Sequence, residues 1–187
     1  AFGKVSSNEW NLADFISISS HKVGGPKGAG ALIIRNGKQL VATHFGGAQE
    51  IKRRGGTQNM LGSVGFGFAC KDLTPTVDST QLAELRNSFE TELRKRLDGI
   101  SINAEGSSRT CTTSNIRIHG VPNEVLLGAL DLEQIYVSAG SACSSGSISP
   151  SHVLLAMGLT KQEAKESLRF SFGNSTTKEQ IETLVSA

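Results

Sequence analysis

The sequence has no apolar run long enough to cross a membrane, and its first residues lack the pattern of a secretory signal. It has little net charge. With 19 Lys and Arg against 17 Asp and Glu the balance is +2 at pH 7, so no basic field points to nucleic acid or an anionic membrane as a partner. Only three cysteines occur, Cys70, Cys111 and Cys143, an odd number, far apart and without the spacing of a metal site. That fits a reduced, intracellular compartment better than a disulfide framework, and the expectation is the cytoplasm, or the mitochondrial matrix if the source is eukaryotic. Internal repeats and low-complexity tails are absent. Aromatics are scarce at 5% and hydrophobic residues modest at 37%, whereas glycine is plentiful at 21 residues, so many turns are expected. No methionine opens the chain, and Ala1-Phe2-Gly3-Lys4 reads as mid-domain sequence. The expectation is a piece of a longer protein.

What is present suffices for one medium domain or parts of two, with a real core. Asp14 to Ser19 and Ala31 to Arg35 read as strands, and Asn36-Gly37 signals a hairpin from the second of these to Gln39–Thr43. Gln58 to Cys70 reads as a buried helix, weakened by Gly62, Gly65 and Gly67. After a break at Leu73-Thr74-Pro75 comes the clearest helix, with Leu82, Leu85, Phe89, Leu93 and Leu97 at helical spacing, bounded by Asp78-Ser79 and Asp98-Gly99. Asn115–His119 alternates like a half-buried strand, Pro122–Leu130 is a short helix, and Ile135–Val137 is a further strand candidate. Two short helices, roughly 150–157 and 160–167, lead to a strand at Leu168–Phe172, and a capped helix from Thr176 closes the chain. The order predicts the end of an α/β layer structure over residues 1–73, then a smaller α+β domain over 74–187.

Three stretches could carry chemistry. Lys22 stands at the end of a strand, before a loop rich in glycine (Gly24-Gly25-Pro26-Lys27-Gly28-Ala29-Gly30) and just past Phe15, Ile16 and Ile18. An amine held near apolar surface becomes nucleophilic at neutral pH, as Schiff-base chemistry requires, and glycines let the backbone approach a ligand. On spacing alone a solvated lysine is the commoner case. Cys143 lies among serines, glycines and alanines with nothing large nearby to bury it. It could be a nucleophile on a swinging loop or an incidental cysteine in an ordinary one. Arg169 interrupts the apolar strand Leu168-Arg169-Phe170-Ser171-Phe172. Its forked donors suit an amino-acid carboxylate, although a solvated strand face or an internal ion pair would also account for it. Gly55-Gly56-Thr57 offers backbone N–H groups and a hydroxyl to a phosphate, or is a plain turn.

Taken together the motifs resemble one family: Ser-x-His-Lys-x-x-Gly-Pro-Lys-Gly-x-Gly-Ala-Leu, then Arg-x-Gly-Thr, then Ser-Ala-Gly-Ser-Ala-Cys-Ser-Ser-Gly-Ser, then Leu-Arg-Phe-Ser-Phe-Gly. In order and spacing, from residue 1 to 187, the chain is similar to the C-terminal half of NifS/IscS-type cysteine desulfurases, pyridoxal-phosphate enzymes of the class V aminotransferase group. The resemblance implies an α/β fold-type-I transferase, the end of its cofactor-binding large domain and its whole small domain. It implies that Lys22 holds pyridoxal 5'-phosphate as a Schiff base and moves protons on the substrate. Ser19 and His21 would hold the cofactor phosphate, and Thr57 would reach the phosphate of a partner subunit in a homodimer. Arg169 would clamp the carboxylate of L-cysteine. Cys143 would take the substrate sulfur as a persulfide, releasing alanine, for delivery to an acceptor such as an iron–sulfur scaffold protein or a thiolation pathway. No metal site is implied.

The pattern departs from the family at Gly24, where an aromatic is common, and at Ser149, where Glu is frequent. The family's ring-stacking His, pyridinium-pairing Asp and nearby Gln all precede the lysine, outside these residues. The 187 residues alone are therefore expected to be inactive, with the N-terminal half as a possible associated partner. Other readings are a selenocysteine lyase or another class V enzyme, or a non-catalytic piece that keeps an acceptor-binding surface.

Overall fold

The structure is a computed structural model, which describes residues 2–4, 8–71, 73, 80–140 and 149–187. The chain divides into two compact units, Ala1–Asp78 and Ser79–Ala187.

In the first unit a 3-10 turn (Asn8–Leu12) leads into β1 (Phe15–Ser19), a second 3-10 turn (Ser20–Val23) and β2 (Gly30–Ile34). The β-branched and aromatic residues of β1 and β2 pair antiparallel, from Phe15 opposite Ile34 to Ser19 opposite Gly30. The lysine stretch is therefore the connection between two paired strands. The hairpin expected around Asn36-Gly37 is corrected. A turn does form there, with Gly37 at φ +80° and Lys38 N–H donating to the Arg35 carbonyl at 3.1 Å. Gln39–Thr43 is not a strand, however, and β2 takes β1 as its partner. Lys38 is drawn to Asp14 at 2.9 Å and Arg35 N–H bonds the Asp14 carbonyl at 3.0 Å, which turns the chain toward the foot of β1. After the four-residue α1 (Gln49–Lys52), whose Glu50 and Ile51 have left-handed φ/ψ, comes α2 (Met60–Lys71), packed on the Ser20–Val23 turn.

In the second unit α3 (Thr80–Arg96) precedes a three-stranded sheet, β3 (Ile100–Ile102), β4 (Thr113–Ile118) and β5 (Ser167–Ser171), antiparallel in the order β3-β4-β5. Between β4 and β5 run α4 (Asn123–Leu132), α5 (His152–Ala156) and α6 (Lys161–Lys165), and α7 (Lys178–Ser186) closes the chain. The helical spacing of Leu82, Leu85, Phe89 and Leu93 puts all four in the core against Ile116, Leu168, Phe170, Phe172, Ile181 and Val185. Phe89 stacks on Phe170 and Phe172 with centroids 4.9 and 5.6 Å away. Leu97, expected on that face, lies past the helix end and is exposed. Capping boxes at Thr160 and Thr177 start α6 and α7.

The strand expected at Ile135–Val137 is also corrected. That segment touches the sheet through a single bridge, Ser138 to Arg169. The left-handed Gln134, which ends α4, redirects the chain just before it. β3, with only three residues, had no legible alternation and was not expected.

Candidate active site

The candidate residues fall in both units, and each unit is described by itself. Ser19, Ser20, His21 and Lys22 run from the last residue of β1 through the 3-10 turn. The turn is closed by its own backbone. Ser20 N–H donates to the Ala29 carbonyl at 3.0 Å, and Gly25 N–H donates to the Ser20 carbonyl at 3.0 Å. Gly24 ends it at φ +82°, a left-handed position where only glycine is unstrained. The closure turns His21 and Lys22 outward, and both are exposed, while Ser19 is half-buried. No carboxylate among the described residues pairs with Lys22. The apolar surroundings expected for Lys22 are thinner than the sequence suggested. Phe15 is 43% exposed, and Ile16 and Ile18 are half-buried, because a two-stranded sheet shields its own faces poorly.

In the second unit the alternation of β5 sends Leu168 and Phe170 into the core and Arg169 to the other face, where it is half-buried. Asn115 of β4 lies opposite it in register. Ser138 bridges its backbone in both directions: Ser138 N–H donates to the Arg169 carbonyl at 3.1 Å, and Arg169 N–H donates to the Ser138 carbonyl at 2.7 Å. The two other arginines of the inner sheet region are tied to acids. Arg109 meets Glu90 at 2.7 Å and Arg117 meets Glu166 at 2.8 Å. Arg169 meets no carboxylate among the described residues. Among the described residues, then, Arg169 is a half-buried guanidinium that no internal ion pair neutralises, a group with donors suited to an anion.

Thr57 is exposed in the first unit, in the segment between α1 and α2, where the Arg54 guanidinium donates to its carbonyl at 3.5 Å. Cys143 lies outside the described residues, as do its neighbours from 141 to 148. The bridge at Ser138 fixes the chain five residues before it, beside Arg169. Ser19, His21 and Lys22 thus share one turn, Thr57 stands on a separate segment of the same unit, and Arg169 belongs to the second unit.

Sequence reasoning missed the Ser138 bridge, which has no pattern of its own because its residues are small. It also missed the glycine face of α2. The signal there was Gly62 and Gly65 three residues apart, the spacing of one helix face.

A hydroxyl, an imidazole and a lysine amine on four consecutive residues form a donor set that fits a phosphate beside a carbonyl carbon. The residues present therefore fit the cofactor that the motifs imply. Among the described residues no cluster of His, Cys, Asp or Glu could hold a metal, and no helix is long and apolar enough to cross a membrane.

Comparison with known proteins gives one answer. The family model for aminotransferase class-V matches residues 4–184. The chain is 42% identical over 170 residues to a cysteine desulfurase IscS of Dictyoglomus turgidum, covering 90% of this chain and 43% of that protein. It is 37% identical over 188 residues to a cysteine desulfurase of Trichormus azollae, covering 99% of this chain and 47% of the relative. Among solved structures, a NifS-like protein from Rickettsia africae superposes with a TM-score of 0.85 at 33% identity, over 100% of this chain and 49% of the other. The chain spans about half the length of the relatives it matches. With that family model matched over nearly its whole length, the chain belongs to the aminotransferase class-V family, and the relatives it resembles are NifS- and IscS-like cysteine desulfurases.

Proposed function

We propose that this chain supplies the lysine, the nucleophile and the carboxylate clamp of a pyridoxal-phosphate-dependent cysteine desulfurase. The observation that carries the reading is Lys22, presented unpaired from a backbone-closed turn beside Ser19 and His21. Ser19 and His21 hold the phosphate of the cofactor and Lys22 holds its carbonyl carbon. Thr57 reaches the phosphate bound by a second subunit, which makes the working protein a homodimer. When bound, pyridoxal phosphate supplies the electron sink for chemistry at the substrate's α-carbon.

The chain's own residues do the rest. Arg169 fixes the carboxylate of L-cysteine and so orients its Cα–H and its sulfur. The Lys22 amine takes and returns protons at the substrate carbons. The Cys143 thiolate attacks the substrate sulfur. A sulfur–sulfur bond forms as the carbon–sulfur bond breaks, and the bond's electron pair stays with carbon. Protonation of that carbon yields alanine, and Cys143 is left as a persulfide. A stretch of small residues suits delivery of that persulfide to an acceptor such as an iron–sulfur scaffold protein, in the cytoplasm or mitochondrial matrix.

The exposed apolar residues of the first unit, among them Phe15, Leu32, Ile33 and Phe68, support completion of the large domain by further polypeptide. That polypeptide corresponds to the first half of the relatives. The test is alanine and persulfide formation from L-cysteine by the completed protein. Cys143→Ala is expected to keep the cofactor and lose both products; persulfide appearing on Cys70 or Cys111 instead overturns the assignment of the nucleophile.

A further inference from the structure

Helix α2 contains Gly62, Gly65 and Gly67, although glycine in a helix interior is destabilising relative to alanine. Two of the three are required by close approach. A β-carbon at Gly62 would lie 2.5 Å from the Asn59 side chain and 3.0 Å from that of Ala29, and one at Gly65 would lie 3.0 and 3.1 Å from the ring carbons of Pro26. On the loop side, a β-carbon at Gly25 would lie 3.3 Å from Ala69 of the same helix. Gly62, Gly65 and Ala69 follow each other at helical spacing, so one face of α2 is cut back to meet the loop that follows Lys22. At Gly67 a β-carbon would meet nothing within 4 Å.

A second observation comes from the turn itself. Ser20 is fully buried, and among the described residues its hydroxyl has no hydrogen-bond partner. That oxygen lies only 2.1 Å from where a β-carbon at Gly25 would stand. A buried hydroxyl without a partner costs stability, so the packing around the turn holds it shut against that cost. Lys22 lies between the two pressed points, Ser20 and Gly25.

We propose that α2 seats the lysine turn and that Gly65 is a positioning residue for Lys22. Through the Pro26 contact it sets where the amine is presented. The inference rests on the reading of Lys22 as the Schiff-base lysine.

The test is to add pyridoxal phosphate to the completed protein, this chain assembled with the polypeptide equivalent to the rest of its relatives, across a range of pH, trap adducts with borohydride, and take the ratio of pyridoxyl-Lys22 to pyridoxyl-Lys38 by peptide mass. The original chain is expected to favour Lys22, and Gly67→Ala to leave the ratio and its pH profile unchanged. Gly65→Ala is expected to lower the ratio by about five-fold or more, since the added methyl group overpacks the Pro26 contact. Pro26→Ala in the Gly65→Ala background removes the ring and is expected to restore the ratio to within about two-fold, as coupled neighbours do. A preference for Lys22 that survives Gly65→Ala overturns the positioning role alone, and so does a loss that Pro26→Ala leaves unrepaired. A completed protein without substitutions that shows no preference for Lys22 overturns the reading of the lysine and the positioning role with it.

Discussion

Three arginines on or near the second unit's sheet meet different fates, and the difference separates architecture from chemistry. Arg109 is bonded to Glu90 through both terminal nitrogens, at 2.7 and 3.0 Å, and Ser114 donates a third bond to that carboxylate at 2.7 Å. Burial would raise the Glu90 carboxyl. The hydrogen bonds from Arg109 and Ser114, with the charges of Arg109 and Arg86, outweigh it and hold the group below its ordinary value. A carboxyl lowered in the folded state stabilises fully above its ordinary value of 4.5, and the contribution is lost as pH falls from there through the lowered value. Arg109→Ala leaves Glu90 buried without its cation and is expected to cost about 3 kcal/mol at neutral pH. It should also flatten the acid limb of stability against pH, read by urea unfolding from neutral to acid; an unchanged limb would place the acid sensitivity elsewhere. Among the described residues Arg169 has no such partner, and under the proposed function its substitution bears on substrate binding rather than on stability. In the completed enzyme Arg169→Lys is expected to raise the KM for L-cysteine roughly ten-fold or more, because an ammonium cannot replace the two-pronged guanidinium bond. Stability should change little, and a KM that stays put removes Arg169 from the substrate site.

At the level of elements, the sequence was legible wherever one face was apolar and the element long. α3 could be read from Leu82, Leu85, Phe89 and Leu93 because a seventeen-residue amphipathic helix repeats its signal. A capped start for α7 was legible in its threonines, although the box forms at Thr177 and Gln180, one residue past Thr176, and the like box at Thr160 and Glu163 of α6 went unread. β3 was not, since three residues cannot show a period of two. Gln39–Thr43 alternated plausibly and still failed, because strand pairing depends on a partner that local sequence does not name. The end of α4 shows another blind spot. Gln134 sits at φ +61°, and Ile135 N–H reaches back to the Leu130 carbonyl at 2.8 Å, the pattern of a helix stop that glycine normally supplies. Gln134→Gly is therefore expected to stabilise the second unit by about 1 kcal/mol. Phe89→Ala, at the junction of α3 with Phe170 and Phe172, is expected to cost about 3–5 kcal/mol. Thermal or chemical unfolding of both variants checks the pair, and a stabilised Phe89→Ala would mean that the core is not built around that ring. The motifs of the site were legible for a different reason. Lys22 and Arg169 lie at element ends and on alternating faces, where a short pattern fixes direction. Gly65, set against Pro26 of the lysine loop, and Ser138, bridged to Arg169, are small and leave no such trace.

For the molecule as a whole, the two units differ in how they are stabilised. Among the described residues Phe66 is the one fully buried hydrophobic side chain of the first unit, and all the others lie in the second. The first unit instead exposes Leu32, Ile33, Met60, Leu61, Val64 and Phe68, so both its sheet and the outer face of α2 are apolar and uncovered. A helix apolar all round and a strand apolar on both faces are the marks of elements meant for the inside of a larger layer structure. A two-stranded sheet with so small a core is marginal by itself. The chain spans about half the length of the relatives it matches, and under the proposed function the cover for these faces is polypeptide equivalent to the rest of them. The chain is thus expected to bind a dye for exposed apolar surface, such as anilinonaphthalene sulfonate, and to lose most of that signal when the complementary half is co-expressed with it. Mass action requires the unfolding midpoint of the first unit to rise with the concentration of that half, by about 2.7 kcal/mol at one hundred times the dissociation constant. The second unit, with a core of its own, should unfold at an unchanged midpoint. If dye binding is low in the chain alone, or both units shift together, the first unit has found another way to bury its apolar faces and the proposed completion of the site fails with it.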